Sequence, residues 1–165
     1  LKFLDLLAKH CDEVMLVNRN HDTILGPIAR KRNVKVVHYY FIEYNNTTPI
    51  TKKFNKKPKK TLVVHGDRIP EKKVLQQAGT VVIGHEHPAI PIKEGPRIEI
   101  YKCFLKGRYK GKNLIAQPSF NTIIEGTNIL RDKILSPFLK QNLDNFEVYA
   151  IEDKVYDFGK LKDLR

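Results

Sequence analysis

VVIGHEHPAI, at residues 81–90, joins an apolar, β-branched run to two histidines separated by one residue. Residues 81–83 predict a buried strand, because valine and isoleucine pack well on a pleated surface. In an extended His-x-His segment both rings lie on one side, about 7 Å apart at their backbones. We therefore expect a strand that ends on His85 and His87, with Gly84 leaving room beside the rings and Pro88 closing the strand.

Two earlier apolar runs are likewise followed by polar residues that can bind a metal ion. EVMLV (13–17) precedes a polar stretch, and TLVV (61–64) precedes His65-Gly66-Asp67. Open α/β sheets bind ligands outside the carboxyl ends of their strands. One cleft is therefore expected to collect the donors at these three strand ends: Asn20, His21, His65, Asp67, His85 and His87.

A mixed set of imidazole nitrogens and amide or carboxylate oxygens favours a site for divalent metal ions. Two such ions about 3.5–4 Å apart can bind a phosphate group and activate a water. Any one of these histidines alone is better explained as a hydrogen-bonded polar residue at a strand end. Four histidines at three successive strand ends favour metal binding.

The remaining patterns predict an α+β or layered α/β fold in a single domain over residues 1–165. LKFLDLLAKH (1–10) reads as an amphipathic helix, and residues 23–33 as a partly helical segment broken at Gly26-Pro27. Residues 34–44 read as one long strand, and 70–79 as a short helix. Alternating patterns beyond residue 97 predict antiparallel strands.

The composition favours an anionic partner and argues against a membrane protein. The formal net charge is +12 over 165 residues, which suits nucleic acid or phosphate esters; a lysine-rich genome is the alternative. The apolar runs are too short to span a bilayer, so a cytoplasmic protein is expected. Cys11 and Cys103 are isolated and predict buried thiols rather than a disulfide.

A lysine-rich stretch, TKKFNKKPKK (51–60), precedes the strand that leads to His65. It is either an arm that contacts phosphate groups without reading base identity or a solvated loop. Four of its lysines are therefore candidate substrate contacts: Lys52, Lys53, Lys56 and Lys57.

The ordered set RNHD (19–22), HGD (65–67) and GHEH (84–87) resembles the calcineurin-like metallophosphoesterases. The resemblance is closest to archaeal phosphoesterases related to double-strand-break repair nucleases, which also carry GHEHPAI and a later PSFN, here at 118–121. It implies a layered αββα sandwich of two sheets flanked by helices, with a dinuclear metal site at the strand ends.

The same resemblance implies roles for individual residues. Asn20, His65 and His85 correspond to ligands of one metal and His87 to a ligand of the other. His21 corresponds to the catalytic histidine that contacts the scissile phosphate. The ions are two divalent metals, with manganese expected first and zinc, iron or nickel as alternatives.

Two departures from the family pattern limit this expectation. An Asp-x-His block and a Gly-Asp block, which would precede Leu1, are absent, so the fold is expected to lack its first strands. The chain alone is then expected to hold one ion at most, and a second chain could supply the missing ligands. Arg19 also replaces the family's usual glycine, either as local variation or as a phosphate contact.

The sequence thus predicts a metal-dependent phosphoesterase whose intact form hydrolyses a phosphodiester or phosphomonoester. The substrate is either a small phosphoester or nucleic acid such as DNA or RNA. The alternative function is a non-catalytic nucleic-acid-binding or assembly subunit that keeps the fold.

Overall fold

The structure is a computed structural model that describes residues 2–18, 25–32, 34–43 and 60–165. It is mostly β, with few and short helices. The helices are α1 (Lys2–His10), α2 (Leu25–Arg30), α3 (Lys72–Gln77) and a final 3₁₀ turn (Leu161–Leu164). The strands are β1 (Met15–Val17), β2 (Lys35–Val37), β3 (Tyr39–Ile42), β4 (Lys60–Val64), β5 (Ala78–Ile83), β6 (Pro88–Glu94), β7 (Arg97–Tyr109), β8 (Lys112–Ala116), β9 (Thr127–Asn128), β10 (Glu147–Ile151) and β11 (Val155–Lys160).

The main sheet is mixed, in the order β11-β10-β7-β8-β5-β4-β3. Strands β4, β5 and β8 are parallel neighbours, and the other pairings in this order are antiparallel. Parallel strands are normally covered on both faces, which favours continuous apolar runs. TLVV and TVVI are such runs, and the three parallel strands place their carboxyl ends at one edge.

Strand β7 belongs to two sheet regions. Its first half pairs with β6, which also pairs with β9, while its second half pairs with β10 and β8. A separate parallel pair is formed by β1 and β2. The antiparallel strands expected beyond residue 97 are confirmed, whereas the αββα layering stays a prediction.

Three local predictions are wrong. Residues 34–44 do not form one strand, because the chain bends at His38 and divides them between β2 and β3. The pair Gly26-Pro27 does not break α2 but lies in its first turn, where proline's missing N–H has no helical partner to lose. Pro88 does not close a strand; it begins β6.

The main core lies on the large sheet. Leu62, Val81, Leu114 and Phe138 are fully buried there, and among the described residues the buried cluster is formed from residue 62 onward. The amino-terminal layer, which we define as α1, β1, α2 and β2, buries little: α1 has no buried residue, and β1 is half-buried throughout. No helix within the described ranges is long and apolar enough to cross a membrane.

Candidate functional site

The ends of β4, β5 and β8 form the edge at which the candidate site lies. His65 follows β4 directly, and its carbonyl accepts the N–H groups of Gly84 at 3.0 Å and His85 at 2.8 Å. The carbonyl of Ile83, the last residue of β5, accepts the N–H of Gln117 at 2.8 Å. The backbone therefore holds together the segments that follow all three strands. Two of these strand ends, after β4 and β5, are among the three that the sequence predicts to share one cleft.

His65 and His85 meet side chain to side chain. His65 Nε2 lies 3.1 Å from His85 Nδ1, and the ring centroids are 4.9 Å apart at 58°. With Zn–N bonds near 2.0–2.1 Å, two ligand nitrogens lie about 3.3 Å apart in a tetrahedral site and about 2.9 Å apart at right angles. The observed separation falls between these values, so the pair fits two ligands of one ion. The same distance also fits a hydrogen bond between the two rings.

Gly66 makes the close approach of the two strand ends possible. Its φ is +102°, in the region that favours glycine. A Cβ at this position would lie 2.8 Å from Ile83 Cβ and 3.5 Å from His85 Cβ. A larger residue would therefore push the turn after β4 away from the end of β5 and separate the two imidazoles.

Glu86, between the two histidines, faces the interior rather than the site. Its side chain is 1% exposed, and its carboxylate accepts the backbone N–H groups of Leu135 at 3.0 Å and Ser136 at 2.6 Å. Ser136 in turn donates its hydroxyl to the carbonyl of Gly66 at 2.7 Å. The middle residue of His-Glu-His thus holds a distant loop against the segment that carries the pair. Sequence reasoning did not assign this role.

His87 leaves the strand direction. Residues 84–87 are not a strand, and His87 has a φ of +51°, so the predicted extended His-x-His is wrong. The carbonyl of His87 accepts the N–H of Thr127 at 2.9 Å. Gly126 lies so close that a Cβ there would fall 2.3 Å from this carbonyl oxygen. Tertiary pairing with β9 therefore decides the backbone at His87.

The His87 ring keeps one buried nitrogen without a hydrogen bond: within the described residues Nδ1 has no partner. Burial lowers the pKa of His87 below its ordinary value, and the nearby His85 and Lys102 lower it further, against an opposing effect of Glu86. A neutral imidazole with a free nitrogen is the form that binds a metal ion. His87 therefore fits a ligand, and the effect of His85 on its pKa shows that its ring lies near the imidazole pair.

The other predicted site residues lie outside the described residues. They are Arg19, Asn20, His21, Lys52, Lys53, Lys56 and Lys57. Over the part of the chain that the structure describes, no group of three or more histidine, cysteine, aspartate or glutamate side chains is arranged to hold an ion. The described residues thus supply a two-histidine half-site and one further candidate ligand.

A cavity of about 450 Å³ adjoins His65. It lies among the end of β1, the junction of β2 and β3, the turn after β4 and the start of α3. Its lining includes His38, Tyr39, Asp67 and Arg68, and also Asn18, whose Oδ1 is buried without a hydrogen-bond partner in the described structure. Of these, Asp67 is the residue that the sequence predicts for the site, since one continuous strand over residues 34–44 does not bring His38 or Tyr39 toward His65.

Comparisons with known proteins leave the family open. No protein-family model matches the chain. No curated protein matches it in sequence either. Among solved structures, it is similar to wild-type Vps29 complexed with Zn²⁺ from Entamoeba histolytica, at 15% identity over 94% of this chain and 86% of that chain, with a TM-score of 0.36. These values are too low to assign the chain to that fold, so the metallophosphoesterase resemblance stays a prediction.

Proposed function

We propose that this protein is a metal-dependent phosphoesterase and that His65 and His85 are ligands of one divalent ion. The observation that carries the proposal is the 3.1 Å separation of His65 Nε2 and His85 Nδ1 at the carboxyl edge of parallel strands. That edge is where open α/β sheets bind ligands.

The chain's own residues hold the proposed metal ligands in place. The backbone hydrogen bonds from Gly84 and His85 to the His65 carbonyl hold both imidazoles in place, and Glu86 holds the adjoining loop. A divalent ion bound there supplies Lewis acidity toward a phosphoryl oxygen and lowers the pKa of a bound water. Asn20 as a further ligand and His21 as the group that contacts the phosphate follow from the family resemblance.

The experiment measures metal uptake and turnover together. Titration of the apo-protein with Mn²⁺ by calorimetry should detect one ion, and His65→Ala and His85→Ala should each weaken its binding at least about tenfold. His10→Ala is the matched control, since His10 is an exposed histidine at the end of α1. No hydrolysis of bis(p-nitrophenyl) phosphate is expected from this chain alone, because one bound ion does not complete a two-metal site.

Two outcomes would contradict parts of the proposal. Equal Mn²⁺ affinity in the His10→Ala and His65→Ala variants would show that the pair is not a metal site. Two bound equivalents with turnover by this chain alone would refute the expectation that a second chain is needed.

The net charge of +12 favours a second candidate, a non-catalytic nucleic-acid-binding subunit. In that case no metal supports turnover, and His21→Ala leaves nucleic-acid affinity and its salt dependence unchanged. Replacing Lys52, Lys53, Lys56 and Lys57 by glutamine then weakens affinity and reduces the salt slope. Retained affinity in the lysine variant would exclude this candidate.

A further inference from the structure

The cavity beside His65 combines an apolar floor with an aromatic wall. Val64, Ile69 and Val74 line it, and Val64 and Val74 are both more than nine-tenths buried. Tyr39 is also part of the lining and remains 43% exposed. The Phe41 ring meets the Tyr39 ring edge-on, at 5.8 Å between centroids and 75° between planes, which limits the orientations of Tyr39 and leaves part of its surface open to a ligand.

The charged residues of the lining form pairs. Arg68 Nε lies 3.7 Å from Asp67 Oδ2, and Lys73 Nζ lies 3.1 Å from Glu71 Oε2. The formal charges of these two cations and two carboxylates sum to zero, although the whole chain carries a net charge of +12. The cavity is therefore suited to a neutral group that both donates and accepts hydrogen bonds, rather than to an isolated anion.

The size and position of the cavity further restrict the kind of ligand that it can bind. A cavity of about 450 Å³ lies within the range of roughly 300–1,000 Å³ typical of small-molecule sites. His65 belongs both to the cavity lining and to the imidazole pair. A ligand whose flat, neutral part fills the cavity can therefore extend a second, charged part to the edge where the imidazoles meet.

We propose that this cavity is a nucleoside subsite, in which Tyr39 stacks on the base and the phosphate of a nucleotide ester reaches His65 and His85. The position of the phosphate rests on the proposed function, whereas the nucleoside contact does not. A nucleoside meets each requirement of the cavity: a planar aromatic base, hydroxyl and amino donors for Asp67 and Glu71, and no charge. A mononucleotide ester and the end of a nucleic-acid strand share this chemistry.

The test compares two neighbouring tyrosines on one strand. Tyr39 and Tyr40 are both exposed on β3 and point to opposite faces of the sheet, and Tyr40 does not line the cavity as described. Binding of AMP, GMP, CMP and UMP is measured by calorimetry in EDTA, with ribose 5-phosphate as the base-free probe. Tyr39→Ala, Tyr39→Phe and Tyr40→Ala are compared after circular dichroism confirms equal folding.

We expect at least one nucleotide to bind more tightly than ribose 5-phosphate. Tyr39→Ala should weaken that binding about 5- to 150-fold, the usual range for loss of a base-stacking aromatic, while Tyr39→Phe and Tyr40→Ala should change it less than about twofold. Equal affinity for nucleotides and ribose 5-phosphate would overturn the proposal, and so would equal losses in the two alanine variants. A short single-stranded oligonucleotide that shows the same Tyr39 dependence assigns the subsite to strand ends; dependence with mononucleotides alone assigns it to small esters.

Because EDTA removes any dependence on metal or turnover, the two proposals can fail separately. Tyr39-dependent nucleotide binding, together with equal Mn²⁺ affinity in the His65→Ala and His10→Ala variants, would leave the subsite standing and reject the metal site on which the phosphoesterase depends. Hydrolysis of bis(p-nitrophenyl) phosphate without any preference for a base would reject the subsite alone.

Discussion

The main sheet and the amino-terminal layer differ in how firmly they are packed. Leu62, Val81 and Leu114 of the parallel strands are fully buried, whereas α1 buries none of its residues and leaves Phe3 and Leu6 about half exposed. The imidazole pair lies on the firmly packed part. The cavity is lined by Tyr39 of β3 and by His65 after β4, but also by Asn18 and His38, which directly follow β1 and β2 of the amino-terminal layer. The metal half-site is therefore expected to be rigid, while the nucleoside subsite is expected to adapt to its ligand.

The two cysteines give the largest expected contrast, since each lies in one region. Cys11 is exposed just after α1, and Cys103 is fully buried in β7, where burial raises the pKa of its thiol to about 12. A thiolate is the reactive form. With Ellman's reagent we expect Cys103 to react at least about 1,000-fold more slowly than Cys11. This ratio corresponds to a free energy of about 4 kcal/mol for local opening of the main sheet around Cys103.

This contrast also tests the expectation that both thiols are buried, which is wrong for Cys11. Reaction in 8 M urea is the control for intrinsic reactivity, and the two cysteines should react at equal rates there. Rates within tenfold of each other under native conditions would mean that the main sheet opens as easily as the amino-terminal layer.

Truncation of one leucine in each region is the next comparison. Leu62→Ala removes a fully buried side chain from β4 and should lower the free energy of unfolding by about 2–5 kcal/mol. Leu7→Ala removes a half-buried side chain from α1 and should cost about 1 kcal/mol, because little apolar area is lost. Urea unfolding followed by circular dichroism measures both, and similar losses would contradict the packing difference.

The smallest contrast concerns two carboxylates. Glu86→Gln weakens buried hydrogen bonds to the N–H groups of Leu135 and Ser136 and should cost about 1.5–3 kcal/mol. Asp5→Asn weakens the pair with Arg32 Nε at 2.6 Å, where the Asp5 side chain is 55% exposed. That change should cost no more than about 1 kcal/mol, since water already solvates the aspartate.

Chemical unfolding of the two variants side by side checks this prediction. If Glu86→Gln proved as mild as Asp5→Asn, Glu86 would not hold the 135–136 loop as the structure indicates. Thermal unfolding of the double variant should show additive losses, because Glu86 binds the 135–136 loop whereas Asp5 binds Arg32.

Strands and their ends could be predicted from the sequence because periodicity is a local property. The apolar runs before His65 and His85 form β4 and β5, which are parallel neighbours. The bend at His38 could not be predicted, because residues 34–44 keep high strand propensity throughout. Strand pairing divides this segment, because β2 pairs with β1 whereas β3 pairs with β4.

Within the candidate site, residue types were predictable and directions were not. His85 meets His65 because two adjacent strand ends are held in register by backbone hydrogen bonds. Glu86 turns inward because the N–H groups of residues almost fifty positions away satisfy its charge. No local pattern in His-Glu-His contains that information.

The sequence by itself determined that apolar strands would end on imidazoles, because side-chain hydrophobicity and β-branching act within a few residues. Only the tertiary structure decided which imidazoles meet, that His87 takes a positive φ, and that His38 and Tyr39 adjoin His65 in one cavity. Those outcomes depend on hydrogen bonds and packing between segments far apart in the chain, whose free energy exists only after the strands have paired.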